Sequence, residues 1–411
     1  MDRTCEHLLS EHHFVDERMA FLVGPRQVGK TTVARLLLDK RRCPDLYRSW
    51  DDLEWRRAFV KQPYAFIDEY RPRLDKVKPL VVLDEIHKHP RWKRYIKGLW
   101  DTRKERVDLL VTGSGRLDVY QRGGDSMLGR YHQYRLHPLS VHEVLEPKGT
   151  VLNDKPEATL ETLFNLSGEP PRQSREAVQA LLRWGGFPEP FLKQNTRQHR
   201  LWLRERRDLI VREDLRDISR IQLLSHVEEL VELIALRAGH ELSYNALRED
   251  LQVALDSVRL WVGYLQRLHY LFIVRPFTGK IARALRREPK LYLWDWSEIE
   301  DPGARFENLV ASHLLKWCHF TQDWGLTPLE LHYLRDKEKR EVDFLITRDK
   351  KPWLLVEAKL SDTQPSPALM HFAERLGDVR KIQVVLNCPA PGVAGGVLVL
   401  DSASFLGALP V

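Results

Sequence analysis

Residues 19–33 read MAFLVGPRQVGKTTV, in which an apolar run leads into a loop framed by glycines. The run Met19–Val23 predicts a buried strand, and from Val33 onward apolar residues recur at helical spacing. Residues 24–31 therefore join the end of a strand to the start of a helix. Because glycines allow backbone amides to wrap around an anion at a helix N-terminus, this arrangement predicts a phosphate-binding loop.

The loop has the Walker A spacing, with glycine at its first and sixth positions and a Lys-Thr pair directly after the second glycine. Lys30 is expected to reach the β and γ phosphates of ATP, and Thr31 to bind Mg²⁺. A glycine-containing turn without a ligand is the alternative, and the strand and helix on either side argue against it. The predicted nucleotide-binding residues are Gly24, Pro25, Arg26, Gln27, Val28, Gly29, Lys30, Thr31, Thr32, Asp84 and Ser114.

A second apolar strand, residues 80–83, ends in Asp84 and Glu85. Asp84 is expected to hold the water shell of Mg²⁺, and Glu85 to orient or deprotonate the attacking water. An acidic pair at a strand end is weak by itself, since strand ends are often acidic and solvated. Because this pair follows a Walker A loop in the same predicted sheet, we interpret it as the Walker B carboxylates of an ATPase.

A third strand, residues 107–112, is followed by Ser114. Either Thr112 or Ser114 is expected to sense the γ-phosphate, the alternative being an ordinary turn serine. Phosphoryl transfer also gains from an extra cation at the transition state. The candidates for such an arginine finger are Arg116, Arg122 and Arg130. Arg130 is preferred, and a surface arginine without that role is the alternative.

Strands that alternate with helical segments predict a mostly parallel sheet with helices on both faces. Prolines and glycines among polar residues mark a linker after this region. The chain is thus predicted to be a multidomain α/β protein. Its segments are 1–146, a P-loop ATPase domain; 147–221, a linker and helical subdomain; 222–297, a winged helix; and 298–411, a C-terminal α/β domain.

Residues 222–297 are predicted to contain three helices followed by two strands, which is the order of a winged helix-turn-helix. Between the strands lies the densest group of basic residues in the chain, predicted to contact the DNA backbone. Winged helices also dock proteins, which is the alternative. The predicted DNA-binding residues are Lys280, Arg283, Arg286, Arg287 and Lys290 between the strands, and Arg259 on the third helix.

Asp343 and Glu357 lie on two neighbouring predicted strands, with a short polar turn between the strands. A β-hairpin of this kind brings the two carboxylates together, and such oxygen ligands select Mg²⁺ or Mn²⁺. Glu307 on the preceding helix is expected to add a third carboxylate. Lys359 would project on the same side as Glu357 and activate or position water. The alternative is a strand hairpin with charged edges.

The chain has 411 residues, of which 43% are hydrophobic and 30% charged, values typical of a folded globular protein. The net charge of +7 allows a polyanionic partner without requiring one. The four cysteines lack metal-ligand spacing, which suits a reducing cytoplasm. No stretch approaches the roughly 20 apolar residues that span a bilayer. We therefore expect a cytoplasmic protein without membrane contact.

The chain as a whole resembles the prokaryotic AAA-type ATPases that carry a C-terminal DUF4143 region. The resemblance rests on GPRQVGKTT at 24–32, LDEI at 83–86, TGS at 112–114, LGR at 128–130, HPLS at 137–140, GGFPE at 185–189, EVDF at 341–344 and VEAK at 356–359. It implies an AAA-type P-loop core, a winged helix and a restriction-endonuclease-like C-terminal domain similar to PD-(D/E)xK nucleases. Most members are described only as predicted ATPases, so the resemblance implies no further activity.

The sequence therefore predicts an ATP-dependent DNA-binding ATPase with a metal-dependent endonuclease-like domain that acts on branched or structured DNA. The expected cofactors are ATP and Mg²⁺, with Mn²⁺ as an alternative ion at the C-terminal site. DNA is the expected partner, and a second copy of the chain or another protein is a further candidate. The alternative function is an ATP-driven switch that binds DNA or a protein through a non-cleaving C-terminal domain. The predicted catalytic residues are Glu85, Arg130, Glu307, Asp343, Glu357 and Lys359, and the predicted metal ligands are Thr31, Asp84, Glu307, Asp343 and Glu357.

Overall fold

The computed structural model describes residues 3–15, 17–70, 77–113, 127, 129–145, 155–166, 168–215, 224–278 and 288–411. The described residues up to His137 form one compact unit, and those from Pro138 onward form a second. The first unit holds most of the predicted P-loop domain. The described parts of the three later predicted segments lie in the second unit, and the boundaries between those segments stay predictions.

Five parallel strands form the sheet of the first unit: β1 Met19–Val23, β2 Tyr47–Ser49, β3 Leu80–Asp84, β4 Asp108–Gly113 and β5 Tyr131–Arg135. Their spatial order is β2, β3, β4, β1, β5. Because β1, β3 and β4 are buried along their whole length, their sequences are almost continuously apolar. The carboxyl ends of β1, β3 and β4 lie side by side at one edge of this sheet. The predicted parallel sheet is confirmed.

Helix Lys30–Lys40 begins directly after the predicted phosphate-binding loop and packs against β3 and β4. Helix Leu53–Lys61 begins at Asp52, whose carboxylate accepts hydrogen bonds from two backbone N–H groups of its first turn. The described helices of this unit are Thr4–Glu11, Lys30–Lys40, Leu53–Lys61, Ala65–Asp68 and Trp92–Arg103, with 3₁₀ turns at His13–Val15, Pro44–Leu46 and Ile86–Lys88.

The described helices from Val141 onward belong to the second unit, which has one large apolar core. Helix Arg172–Trp184 shows the helical periodicity clearly, since Ala177, Val178, Leu181 and Trp184 are its buried apolar residues. The described helices are Val141–Val144, Pro156–Asn165, Arg172–Trp184, Pro188–Lys193, Thr196–Asp208, Leu224–Leu236, Tyr244–Leu251, Leu255–Arg267, Pro302–Asp323, Pro367–Leu376 and Ser402–Ala408. A π-helical turn spans Leu209–Asp214 and a 3₁₀ turn spans Trp296–Glu298.

Eight strands form the sheet of the second unit: β6 Leu271–Pro276, β7 Lys290–Leu293, β8 Leu329–Arg335, β9 Glu341–Arg348, β10 Lys351–Lys359, β11 Arg380–Val385, β12 Gly392–Ala394 and β13 Val397–Asp401. Their spatial order is β12, β13, β11, β10, β9, β8, β6, β7. β6 runs parallel to β8, where Arg275 and Pro276 lie opposite His332 and Tyr333. The β6–β7 hairpin therefore extends the sheet of the C-terminal region. The winged helix and the restriction-endonuclease-like domain stay predictions.

Among the described residues, no helix combines the length and the apolar composition that crossing a bilayer requires. The four cysteines are free thiols, and Cys43, Cys318 and Cys388 are buried. Burial raises the pKa of the Cys43 and Cys388 thiols, which keeps both in the protonated form.

Candidate functional sites

The phosphate-binding loop has a backbone that requires glycine at both ends. Gly29 precedes helix Lys30–Lys40 with a φ of 104°, a conformation that side chains disfavour. At Gly24 the φ is 155°, and a Cβ there would collide with the carbonyl oxygen of Leu136. Leu136 is held in place because its N–H donates to the carbonyl of Val23 at 2.8 Å. The two glycines thus give this loop a backbone path that other residues disfavour.

The Lys30 side chain is buried inside this loop. Its Nζ donates to the carbonyl oxygens of Gly24 at 3.0 Å and Pro25 at 2.6 Å. Both of these acceptors are neutral backbone groups of the loop itself. A lysine held in this way at a helix N-terminus can transfer its hydrogen bonds to an incoming phosphate.

Three hydroxyl groups converge on the buried carboxylate of Asp84, at the end of β3. Thr31 and Tyr47 donate to Asp84 Oδ2 at 3.2 Å and 2.5 Å, and Thr112 donates to Oδ1 at 2.5 Å. Burial, together with the Asp84 carboxylate, raises the pKa of Tyr47, so its hydroxyl remains a donor. Thr31 and Asp84 offer the hydroxyl and carboxylate oxygens that Mg²⁺ prefers, and they are adjacent as predicted.

Sequence reasoning did not find Tyr47. It lies at the edge of the sheet, and β2 has three residues, too few for a strand periodicity. Its partner in the sheet is Val82, two residues before Asp84. Only the pairing of β2 with β3 brings this tyrosine to the site.

Glu85 follows Asp84 and has a left-handed backbone, with a φ of 56°. Its N–H donates to the carbonyl oxygen of Thr112 at 3.0 Å, which joins the ends of β3 and β4. The Glu85 carboxylate lies 3.6 Å from both Lys88 Nζ and His87 Nε2. Strained backbone of this kind is common where a side chain must point in a particular direction.

In the second unit, the four residues predicted to form a metal-dependent site come together. Asp343 on β9 donates its backbone N–H to Glu357 Oε2 on β10 at 3.3 Å, and Asp343 Oδ2 accepts from the Ala358 N–H at 3.0 Å. Lys359 Nζ lies 2.8 Å from Glu357 Oε1. Glu307 reaches this group from helix Pro302–Asp323 through a cation that it shares with Asp343.

That shared cation is Lys290, the first residue of β7. Its Nζ lies 3.0 Å from Glu307 Oε1, 2.6 Å from Glu341 Oε1 and 3.3 Å from Asp343 Oδ1. Burial alone would lower the pKa of Lys290, but Tyr292 and these three carboxylates outweigh burial and raise it. The prediction that Lys290 contacts DNA as a surface cation is therefore wrong, because only 3% of its side chain is exposed.

Burial and the charge of a neighbouring carboxylate both shift the pKa values of the glutamates in this group. Burial, followed by the charge of Asp343, raises the pKa of both Glu307 and Glu357 to about 7. Tyr292 donates to Glu307 Oε1 at 2.7 Å. No group of three or more His, Cys, Asp and Glu side chains within the described part of the chain is arranged to hold a metal ion. The carboxylates instead surround lysine ammonium groups.

Residues 16–145 match the family AAA_14, described as an AAA domain, and residues 302–390 match the domain of unknown function DUF4143. The chain carries an AAA domain and a DUF4143 domain. Residues 175–297, between these domains, match another domain of unknown function, DUF8612. The family resemblance expected from the sequence is thus confirmed for both ends of the chain.

The relatives of this chain include an uncharacterized protein of Methanocaldococcus jannaschii, 24% identical over 343 residues, which cover 74% of this chain and 68% of the relative. An uncharacterized protein of Mycobacterium tuberculosis is 23% identical over 355 residues, which cover 82% of this chain and 69% of the relative. A structure of the replication initiator DnaA bound to AMPPCP and single-stranded DNA aligns with a TM-score of 0.30 and 15% identity, covering 64% of this chain and 86% of that chain. A TM-score of that size assigns neither ligand nor partner to this chain.

Within the AAA domain, Arg130 lies far from the phosphate-binding loop. It precedes β5, and Tyr131 pairs with Met19 at the amino end of β1, whereas the loop follows the carboxyl end. A strand rises about 3.3 Å per residue, so the five residues of β1 separate Arg130 from the start of the loop by roughly 16 Å. Arg130 Nε lies 2.8 Å from Asp101 Oδ1, an ion pair at the surface. This position excludes Arg130 from the phosphates of its own chain.

Some of the remaining predicted site residues lie in the described part of the chain, and others lie outside it. Arg259 is exposed on helix Leu255–Arg267, and its NH1 lies 3.8 Å from Asp256 Oδ1, a weak pair that leaves it accessible to a polyanion. Thr112, the described sensor candidate, is buried against Asp84. The residues outside the described part of the chain are Ser114, Arg116, Arg122, Lys280, Arg283, Arg286 and Arg287.

Proposed function

We propose that this chain is an ATPase whose nucleotide state controls the binding of a partner. The observation that carries the proposal is the arrangement of Lys30, Thr31 and Asp84. A buried ammonium group with neutral acceptors lies at a helix N-terminus, directly beside a hydroxyl and carboxylate pair. The match of residues 16–145 to an AAA domain supports the same function.

In the proposed reaction, the loop amides and Lys30 hold the phosphates of ATP, since both present positive charge to them. Thr31 and Asp84 would hold Mg²⁺, which when bound neutralises charge on the phosphates. Glu85 orients or deprotonates the attacking water, and Lys88 steadies its carboxylate from 3.6 Å. Thr112 keeps Asp84 in position. An arginine finger from Arg130 would have to act on a neighbouring copy of the chain.

ATP turnover tests this proposal with two variants and a control. Lys30→Ala is expected to lose nucleotide binding, and Glu85→Gln to keep binding but to lose turnover by about 10²-fold or more, the usual contribution of a general base. Lys61→Ala is the control, since Lys61 is an exposed lysine at the end of helix Leu53–Lys61 in the same unit. Turnover by Lys30→Ala equal to that of the control would contradict the assignment.

Metal-dependent cleavage of DNA is the second candidate function. The observation that favours it is the meeting of Asp343, Glu357 and Lys359 on β9 and β10. The residues do not fit a divalent metal as they are arranged, because the Lys290 ammonium contacts both Glu307 and Asp343. We therefore favour a second unit that binds DNA or a protein without cleaving it.

Binding and cleavage of plasmid, single-stranded and four-way-junction DNA distinguish the two candidates. Wild type and Asp343→Ala are compared with Mg²⁺ or Mn²⁺, with and without ATP. The favoured function predicts that ATP changes DNA affinity and that neither protein cuts DNA. Cutting that Asp343→Ala abolishes would establish the second candidate instead.

A further inference from the structure

The acidic cluster of the second unit, formed by Glu307, Glu341, Asp343 and Glu357, has an internal cation at its centre. Lys290 reaches three of these carboxylates from β7, at distances between 2.6 Å and 3.3 Å. Glu341 and Asp343 are two residues apart on β9, so their side chains project from the same face of the strand. Glu307 approaches from a helix, and the ammonium group is thus contacted from two separate elements.

Each carboxylate of the acidic cluster also has a donor other than Lys290. Glu307 Oε1 accepts from Tyr292, and Asp343 Oδ2 accepts from the Ala358 N–H. Glu341 Oε2 lies 2.9 Å from Arg335 NH1, and Glu357 Oε1 lies 2.8 Å from Lys359 Nζ. Buried carboxylates are costly unless paired and hydrogen-bonded, and each of these four has such a partner. The cluster is therefore compensated by the chain itself.

A divalent metal at this cluster would need the same oxygens. Mg²⁺ binds oxygen at about 2.0–2.1 Å and needs the ligands to approach one point. The point that Glu307 and Asp343 share is taken by Lys290 Nζ, and two cations in such proximity repel strongly in a buried setting. Lys290 and a divalent metal thus compete for one position.

We infer that Lys290 is the resident cation of the acidic cluster, and that it excludes Mg²⁺ and Mn²⁺ from the site that Glu307, Asp343 and Glu357 would otherwise form. The native second unit therefore takes no metal at this cluster. Removing the lysine side chain opens a new divalent-cation site. This inference does not depend on the proposed ATPase, since it concerns a different unit and is tested without nucleotide.

Mn²⁺ binding, measured by electron paramagnetic resonance without nucleotide, tests the inference. Lys290→Met is expected to gain one Mn²⁺ per chain with an affinity at least about tenfold above that of any site in wild type. Adding Asp343→Asn to Lys290→Met is expected to remove the gained site. Lys359→Met is the matched control, because it removes a lysine that pairs with Glu357 but leaves Lys290 in place. Thr31 and Asp84 are unchanged throughout, so they contribute equally to every variant.

Folding of the variants is checked by circular dichroism and by thermal melting with and without Mn²⁺. If Lys290→Met does not fold, the double variant Lys290→Met with Glu341→Gln is measured in its place. This double variant removes one cation and one carboxylate together. Support requires Mn²⁺ binding that appears with the loss of Lys290 and disappears with the loss of Asp343. Mn²⁺ binding by wild type that Asp343→Asn abolishes overturns the inference, as does a folded Lys290 variant that gains no site.

Discussion

The two units each bury a lysine among oxygen atoms, but the oxygens differ. Lys30 is 7% exposed and donates to two neutral carbonyls of its own loop. Lys290 is 2% exposed and contacts three carboxylates. An ammonium group bonded to loop carbonyls at a helix N-terminus can pass those hydrogen bonds to an incoming phosphate, whereas one that contacts three carboxylates is held in place by them. The same side chain thus prepares a binding site in the first unit and closes one in the second.

The largest effect that separates the two lysines is on stability. Lys290→Ala removes a buried ammonium group that three partly buried carboxylates share, and breaking a buried ion pair costs about 3–5 kcal/mol. Lys30→Ala leaves the buried carbonyls of Gly24 and Pro25 without this donor, so a smaller loss of about 1–3 kcal/mol is expected. Denaturant unfolding of both variants measures the difference, with Lys351→Ala as an exposed control on β10. Equal losses for the two lysines would contradict the comparison.

His313 is another buried basic side chain of the second unit, and its hydrogen-bond partners are neutral backbone groups. Its Nε2 accepts from the Val141 N–H at 3.0 Å and its Nδ1 donates to the Leu309 carbonyl at 2.8 Å. Burial is the main cause that lowers the pKa of His313 from 6.5 to about 4. Between these values the unfolded chain binds more protons than the folded chain. Stability is therefore fully present above pH 6.5 and falls by about 3 kcal/mol as the pH falls toward 4.

His313→Gln should lack this part of the pH dependence, because glutamine does not titrate. The free energy of unfolding at pH 7.5 and pH 4.5 is compared between wild type and this variant. His12→Gln, at an exposed histidine, is the control. An unchanged pH dependence in His313→Gln would show that the imidazole is not held neutral in the folded chain.

A smaller effect concerns Asp84, a buried carboxylate whose donors are neutral hydroxyls rather than cations. Thr112→Val keeps the shape of the side chain and removes one hydrogen bond to a charged group, which is worth about 1.5–3 kcal/mol. Tyr47→Phe should cost less, because Tyr47 is only half-buried and water can replace its hydroxyl. Unfolding of the two variants gives the ranking, and a larger loss for Tyr47→Phe would contradict it.

The smallest effect is expected at Arg130. Its ion pair with Asp101 is at the surface and distant from the phosphate-binding loop, so Arg130→Ala should leave the stability and the Kd for ATP unchanged within error. A role in a neighbouring chain would appear as a loss of turnover that grows with protein concentration. A weakened Kd in dilute protein would place Arg130 at the nucleotide of its own chain.

Much of the nucleotide site could be predicted because its parts are local in sequence. The loop, the strand before it and the helix after it occupy residues 19–40, and β3 ends at Asp84 where the apolar run stops. The two predicted strands that carry Asp343 and Glu357 are likewise present as β9 and β10, because each has its own apolar pattern. Asp343 and Glu357 were found for the same reason, since neighbouring strands of a hairpin pair in register.

The position of Lys290 could not be predicted, because its partners are distant in sequence. Glu307 is 17 residues away and Asp343 is 53 residues away. Local sequence shows Lys290 beside a group of basic residues, a pattern that favours a solvated surface. The pairing of β6 with β8 brings β7 into the C-terminal sheet, and only tertiary structure specifies that pairing. The burial of a lysine follows from such contacts rather than from its neighbours in the chain.

The most direct test of this contrast is the number of Mn²⁺ ions that wild type binds, with and without a non-hydrolysable ATP analogue. One tightly bound Mn²⁺ per chain is expected when the analogue is present, held at Thr31 and Asp84, and no tight Mn²⁺ is expected when it is absent. A tight Mn²⁺ that needs no nucleotide and disappears in Asp343→Asn would contradict the account.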